Sequence, residues 1–240
     1  MKLVIVIPTY NEEKIISSTI KKTLGKIQEL PIDSELVISD DASKDNTIKI
    51  VKALIQEHDN LKLITHSTNG GRGEAVSDAF LKCDGDVFMF MDADLSTDLK
   101  HINNILTYVG KYDVIIGSRW LAGSNSYRSL FRIFTSLFYN TVVRLLFRTG
   151  IKDHECGFKA FRKETAKQLV NKVGVLKHNV RGVAWDTEVL VRAKKMGYKI
   201  KEFPVKWYEG EKSEINITNE GIKTLKYLLG LRIKLWKEKD

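Results

Sequence analysis

The acids Asp92 and Asp94 stand two residues apart, directly after the run D-V-F-M-F-M at residues 86–91. Mg2+ or Mn2+ accepts such carboxylate oxygens and shares its remaining positions with phosphate oxygens. A D-x-D turn also occurs as plain acidic surface. Its place at the end of a run that reads as a buried strand favours a metal site. A second acidic pair lies in Ser39-Asp40-Asp41-Ala42-Ser43. Acids at a strand end can accept hydrogen bonds from a base or ribose, while Ser43 and Asp45 are equally suited to capping the helix that follows. In Pro8-Thr9-Tyr10-Asn11-Glu12, Pro8 halts a strand, Asn11 can cap a helix and Tyr10 can stack on a base. The turn Asn69-Gly70-Gly71-Arg72-Gly73 lets backbone approach a ligand and lets Arg72 face phosphate. It is not a Walker A loop, because no G-K-[ST] follows, and its glycine spacing is not that of a dinucleotide fingerprint.

Each of these turns closes a segment that reads as a strand. The β-branched run at residues 3–7 is what a strand buried on both faces looks like. Further strands are predicted over residues 35–39, 61–65, 86–91 and 113–117. Helices are predicted over residues 12–29, 45–57, 74–82 and 99–109. Strands alternating with helices imply a doubly wound, mostly parallel sheet, with ligands beyond the carboxyl ends of the strands. After residue 117 the pattern changes. Residues 127–148 are rich in Leu, Phe and Arg, residues 155–162 suit a strand returning to the sheet, and residues 185–196 read as a helix. Residues 199–207 read as a strand whose Pro204 assigns it to an edge. A division into a domain of residues 1–213 and a basic amphipathic tail of residues 214–240 follows.

The runs V-I-P-T-Y-N-E, S-D-D-A-S-K-D-N-T, G-G-R-G-E-A, M-D-A-D-L-S and G-S-R-W, in this order, resemble the inverting glycosyltransferases of family 2. They are most similar to the branch of dolichyl-phosphate mannose synthases and dolichyl-phosphate glucosyltransferases, over Leu3 to about Ser213. The resemblance implies an α/β, Rossmann-like GT-A fold: a mostly parallel sheet flanked by helices, with amphipathic basic helices on one side. It also implies metal-dependent transfer of a hexose from a nucleotide sugar, of the UDP-glucose or GDP-mannose type, to a polyprenyl (dolichyl) phosphate. Pro8, Tyr10, Glu12 and Asp40 then look like the nucleoside pocket, and Asp41, Gly71, Arg72, Asp92 and Ala93 complete the nucleotide-sugar site. Asp92 and Asp94 look like the metal pair, Asp94 the more direct ligand; Ser96 stands where some mannose synthases carry a Gln and is the third expected ligand. Arg119 matches an arginine near the sugar and phosphates, and Glu155-Cys156-Gly157-Phe158 matches an E-C-G-F-K run. Trp185-Asp186-Thr187-Glu188 matches an acidic motif on the acceptor side. The V-x-W-x-E pattern at residues 205–209 is closer to the glucosyltransferases, which points to UDP-glucose.

The departing pyrophosphate needs its charge neutralised, by a metal at Asp94 aided by Arg72 or Arg119. A hydroxyl acceptor would also need a base, for which Asp186 and Glu188 are candidates. A phosphate monoester would not, because its second pKa of about 6 leaves it largely dianionic. Glu188 also stands four residues before Arg192, the spacing of a helical salt bridge, and Asp186 suits a helix N-cap.

Two segments point to lipid. Leu130, Phe131, Phe134, Leu137, Phe138, Val142 and Leu145 share one wide helical face, flanked by Arg128, Arg132, Arg144 and Arg148. That is the pattern of an interfacial helix, and Arg132, with Arg128, is the candidate contact for an acceptor phosphate. In the tail, Ile222, Leu225, Leu228, Leu229 and Trp236 lie among Lys223, Lys226, Arg232, Lys234 and Lys237. A core-packing helix or a dimer interface would read the same way.

The chain has 240 residues with 43% hydrophobic and 29% charged, which excludes disorder. Cys83 and Cys156 form no zinc motif and read as free thiols of a reducing compartment. The net charge of +9 suits phosphorylated substrates or anionic membranes. A basic nucleic-acid-binding module is the reading outside the enzyme class, but basic and aromatic residues are not interleaved, so no nucleic-acid partner is expected. With no signal peptide and no apolar stretch of about 20 residues, the expected location is peripheral, on the cytoplasmic face of a membrane, without a transmembrane helix.

Overall fold

The structure is a computed structural model that describes residues 1–174, 183–208 and 217–238. The β-branched run at the N-terminus forms β1 (Lys2–Thr9), which is followed by α1 (Ile16–Gln28), β2 (Asp33–Asp40), α2 (Thr47–Ile55), β3 (Leu61–Thr65) and α3 (Arg72–Lys82). Then come β4 (Val87–Met91), a short 3-10 turn, α4 (Ile102–Tyr108) and β5 (Val114–Ser118). After β6 (Asn125–Tyr127) and α5 (Leu130–Phe147) the chain returns as β7 (Phe158–Arg162). The remaining elements are α6 (Lys163–Val173), α7 (Val183–Lys195), β8 (Ile200–Pro204), β9 (Lys206–Tyr208) and α8 (Ile217–Lys237).

The main sheet has the order β3-β2-β1-β4-β7-β5-β8. All its pairings are parallel except those of β7, which runs antiparallel between β4 and β5, with Met91 opposite Phe158. The Pro-bearing strand lies at the edge as expected, but it divides at Val205. β8 stays in the sheet, and β9 pairs with β6 in a separate parallel ribbon. One sheet face is covered by α1, α2 and α4 through residues such as Ile5, Ile20, Val51 and Ile105. The other face packs on α3, α6 and α7, where Phe80 meets Phe88 at 5.2 Å and Phe90 meets Trp185 at 5.8 Å between ring centroids.

The first helix starts later than its apolar spacing suggests, after a left-handed Asn11 (φ 58°) and a turn in which the Ile15 and Ile16 amides both donate to the Glu12 carbonyl. The amides of Glu12 and Glu13 are taken by Thr47 Oγ1 (2.8 Å) and Asp45 Oδ2 (3.0 Å) of the next strand-to-helix turn. Asn11, expected to cap that helix, instead accepts from Lys44 N–H at 2.8 Å, while its own amide donates to Ser43 Oγ. The turns after β1 and β2 are thereby laced together.

The C-terminal helix is not a loose tail. Leu228, Leu231 and Leu235 of α8 form a small core with Val143 of α5 and Val191 of α7. The boundary expected between residues 213 and 214 lies outside the described residues.

Helix α5 bears on the expected absence of a membrane-spanning helix. It has 18 residues with a mean hydropathy of 1.3, long and apolar enough by length and composition to cross a membrane. Two arginines interrupt the run, which is why no uninterrupted apolar stretch of spanning length stands out in the sequence. The helix is also inside-out for a soluble fold. Its buried positions are Ser136, Asn140 and Val143. Leu130, Phe134 and Leu145 on the opposite side are 85%, 68% and 74% exposed. The polar side is bonded to the body, with Asn140 Oδ1 accepting from His154 N–H (2.8 Å) and Tyr139 Oη 2.6 Å from Thr187 Oγ1.

Candidate active site

The strand-end turns after β1, β2 and β4 surround a cleft of about 940 Å3. Pro8, Tyr10, Glu12, Asp41, Arg72, Asp92, Ala93 and Asp94 all line it, so most of the residues singled out from the sequence converge on one place. Tight backbone is what makes the cleft possible. Gly71 precedes α3 with φ of 92°, a left-handed conformation that other residues adopt only at a cost. The Asp41 carboxylate holds this turn, accepting from the amides of Gly70 and Gly71 at 2.7 Å each. Asp40, by contrast, is fully enclosed, its carboxylate accepting from Ser43 N–H (2.9 Å), Ser43 Oγ (2.6 Å) and Thr9 Oγ1 (3.3 Å). It shapes the turn and does not line the cleft.

Three carboxylates face each other across the opening. Glu12 is pushed up to about 7, first by burial and then by Asp94, Asp45 and Asp92. Burial also raises Asp92, against the pull of Arg72. Asp94 is exposed in the cleft and oriented by the amide of Ser96, which donates to Oδ1 at 2.9 Å. Such crowding of negative charge is what a divalent cation relieves, and Mg2+ characteristically takes one or two carboxylates plus substrate phosphates. Asp92 and Asp94 suit that role. Among the described residues no cluster of three or more His, Cys, Asp or Glu builds a complete metal cage. Ser96 does not fit the third position expected of it. It is buried and does not line the cleft, its amide goes to Asp94, and its carbonyl accepts from Tyr208 N–H at 2.8 Å. The carbonyl of Ala93 is likewise used within the fold, by Thr19 Oγ1 at 2.6 Å.

Behind the cleft, Arg72 donates to Asp92 Oδ1 at 2.9 Å and to Asp186. Asp186 lies in the first turn of α7 without exposed surface, and Lys159 Nζ donates to its other oxygen at 3.0 Å. Gly157 has no room for a side chain, because a Cβ there would overlap the Asp92 carboxylate. Glu188, two residues on from Asp186 and so facing the other side of the same helix, does not join the site. It pairs with Arg192 at 2.7 Å, as its spacing allowed, and accepts from Tyr227 of α8.

Arg119 and Arg128 belong to a second cluster, around Asp153, Trp120 and Trp207. Arg119 is held by Asp153 through Nε (2.7 Å) and Nη2 (2.8 Å), and Glu155 lies 3.6 Å away. The Arg119 guanidinium keeps Asp153 down at about 2 in spite of burial. Arg119 therefore stiffens the loop of residues 153–155 and does not face Asp92 or Asp94 freely. Arg128 differs. Its guanidinium lies 4.7 Å from the Trp120 ring centroid and 5.5 Å from that of Trp207, and burial with the neighbouring Arg119 lowers its pKa. A cation so placed is stabilised by an arriving anion. Arg132 lies half-buried in the first turn of α5, four residues after Arg128. The ribbon carrying Trp207 meets the segment just past the D-x-D turn through a bridge from Thr97 to Trp207.

Sequence reasoning missed Asp153, Lys159 and the two tryptophans as site-building residues. One signal was available: Lys159 is a charge inside a strand whose neighbours Phe158, Ala160 and Phe161 are apolar, and a buried charge needs a partner.

The sequence model of glycosyl transferase family 2 matches residues 4–170. The chain is 34% identical over 220 residues to glycosyltransferase AglD of Haloferax volcanii, covering 90% of this chain and 34% of that protein. It therefore spans about a third of the length of that relative. It is 30% identical over 253 residues to the dolichyl-phosphate beta-glucosyltransferase ALG5A of Trichomonas vaginalis, covering 99% of this chain and 76% of that one. The human dolichyl-phosphate beta-glucosyltransferase is 28% identical over 230 residues, at 89% and 69% coverage. Among solved structures, glucosyl-3-phosphoglycerate synthase from Mycobacterium tuberculosis in complex with UDP superposes with a TM-score of 0.71 at 14% identity, covering 96% of this chain and 80% of that one. That likeness speaks for the shared fold. On its sequence and its GT-A fold, the chain belongs to glycosyl transferase family 2.

Proposed function

We propose that this enzyme transfers glucose from UDP-glucose to a polyprenyl phosphate of the dolichyl type at a membrane surface. The observation that carries the reading is the outward apolar face of α5, which begins at the Arg128–Trp120–Trp207 corner next to the D-x-D cleft. The relatives that share nearly the whole chain length are named dolichyl-phosphate beta-glucosyltransferases, which supports both donor and acceptor. The mycobacterial synthase, which shares the fold, crystallised with Mn2+ or with Mg2+ together with UDP, which supports metal use.

In the proposed reaction an oxygen of the acceptor phosphate attacks the anomeric carbon of glucose. The C1–O bond to UDP breaks, and the electron pair leaves with the diphosphate. A divalent cation on Asp92 and Asp94 would neutralise charge on the leaving diphosphate. Arg72, at the start of α3, adds a fixed positive charge at the same end of the cleft, and Tyr10 and Pro8 form the wall for the nucleoside. Arg128, with Arg132, holds the acceptor phosphate. A phosphate that is already ionised needs no base. This agrees with Asp186, whose two oxygens are both held by cations.

The membrane contact comprises the exposed side of α5 together with Leu225, Leu229, Ile233 and Trp236 of α8. Arginines and lysines at its margins suit anionic headgroups. Bonds from the polar side of α5 to the body lay the helix along the protein flank, so the proposed attachment is peripheral, on the cytoplasmic face where nucleotide sugars are available.

Purified protein, dolichyl phosphate in detergent and Mg2+ or Mn2+ would be incubated separately with UDP-glucose, UDP-N-acetylglucosamine and GDP-mannose. A glucosyl lipid from UDP-glucose, reduced by about a hundredfold or more in Asp94→Ala, is the expected result. Lipid product from another donor corrects the sugar. Metal-dependent hydrolysis of a donor without lipid product rejects the acceptor.

A further inference from the structure

A buried line of alternating charge runs from the middle of the sheet to the D-x-D turn. Lys159 sits in β7, opposite Phe90 of β4 on one side and Ile116 of β5 on the other. Its side chain has no exposed surface. The ammonium lies 5.3 Å from the Phe90 ring centroid and donates to the Cys156 carbonyl (2.5 Å) and to Asp186 Oδ1 (3.0 Å). Asp186, equally enclosed, accepts from Arg72 on its other oxygen. Arg72 reaches on to Asp92, whose carboxylate is backed against Gly157.

Lys159 touches neither solvent nor the cleft, so its charge acts only through what it holds. A lysine inside a sheet is costly unless paired, and its partner Asp186 would be costly in turn without it. The two together leave Asp186 with one oxygen for Lys159 and one for Arg72. Arg72 is then stretched between two acids, with Nε making no hydrogen bond. Its position is thus set from behind, from the rigid centre of the sheet.

We infer that Lys159 and Asp186 are positioning residues: they fix the Arg72 guanidinium, and through it the Asp92 carboxylate, where the donor diphosphate arrives. The identity of that ligand rests on the proposed function; the geometry does not. Asp186 thereby has a task other than the base that a hydroxyl acceptor would require. It offers no exposed surface through which a hydroxyl could meet it.

Calorimetric titration with UDP and Mg2+, joined to kinetics with UDP-glucose and dolichyl phosphate, tests this. Asp186→Asn keeps the shape and removes the charge. It should weaken UDP–Mg2+ binding by about tenfold or more, the usual effect of losing a partner that orients a ligand-binding group. KM for UDP-glucose should rise in parallel, with the acid limb of the pH–rate profile unmoved. Lys159→Met should shift the same quantities in the same direction. The double variant should bind no worse than the weaker single, because the two act as one unit. UDP affinity unchanged in both variants overturns the inference. So does a collapse of kcat at constant KM with loss of the acid limb, the signature of a base. Should Lys159→Met not fold, as judged by its thermal midpoint, Asp186→Asn alone decides. Failure of the proposed function is separate: the unmodified protein would then bind no UDP, or form no glucosyl lipid.

Discussion

His154 has no exposed surface and lies between Asn140 Oδ1 (2.9 Å from Nδ1) and Thr149 Oγ1 (3.0 Å from Nε2). Burial pushes its pKa down to about 3, with Lys159 and Arg144 adding to the fall and Asp153 opposing it. The unfolded chain, with an ordinary histidine, takes up a proton near pH 6.5, whereas the folded chain resists until about 3. Stability should therefore be full above pH 6.5 and fall as the pH drops, by up to about 1.4 kcal/mol per pH unit from this residue. Denaturant midpoints measured between pH 7 and 4 check it, and His154→Gln should flatten the slope. Arg128 carries the other residue-level expectation. Arg128→Ala should raise KM for dolichyl phosphate at least about tenfold and leave UDP affinity within about twofold, since a charged hydrogen-bonding partner of a phosphate is lost without disturbing the donor cleft. The convergence of the D-x-D acids and Arg72 on one cleft was legible because each lies just past the end of a buried strand. Asp153 and Lys159 were not, because nothing nearby in sequence names their partners: Arg119 lies 34 residues from Asp153, and Asp186 lies 27 from Lys159. The Glu188–Arg192 pair was legible as a salt bridge because its partners are one helical turn apart.

At the scale of elements, α5 teaches most. Its periodicity was plain in sequence, but periodicity alone does not say which side turns inward. Ser136 and Asn140 go in because Glu155 and His154 wait for them, Ser136 donating to Glu155 and Asn140 accepting from His154. Replacing Phe131, Phe134 and Phe138 together by Ser should therefore leave the fold and UDP binding intact. Co-sedimentation with anionic vesicles should drop by roughly tenfold or more, because the lost apolar area is exposed, not core, and is the area proposed to meet lipid. The parallel strands were readable as buried runs followed by turns. β7 was readable as a returning strand, but its antiparallel place between β4 and β5 is a tertiary outcome: the chain leaves after β5, builds β6 and α5, and re-enters beside the D-x-D strand. That path is what puts Gly157 against Asp92.

In the whole molecule the turns after β1, β2 and β4 line the cleft, the separate β6–β9 ribbon brings Trp207 to Thr97 just past the D-x-D turn, and α5 and α8 each keep large apolar side chains exposed. If those apolar sides rest on a bilayer as proposed, the search for the lipid acceptor takes place in two dimensions. The quantity that sets the rate is then the number of acceptors per unit area, and the volume of the tube hardly matters. Adding inert phospholipid at a constant total amount of dolichyl phosphate should slow turnover in proportion to the fall in mole fraction, while tripling the buffer at a fixed protein-to-lipid ratio should leave it nearly unchanged. A rate that tracks bulk concentration instead would mean that each lipid is met from solution. The outward side of one helix thus decides in which space the enzyme counts its substrate.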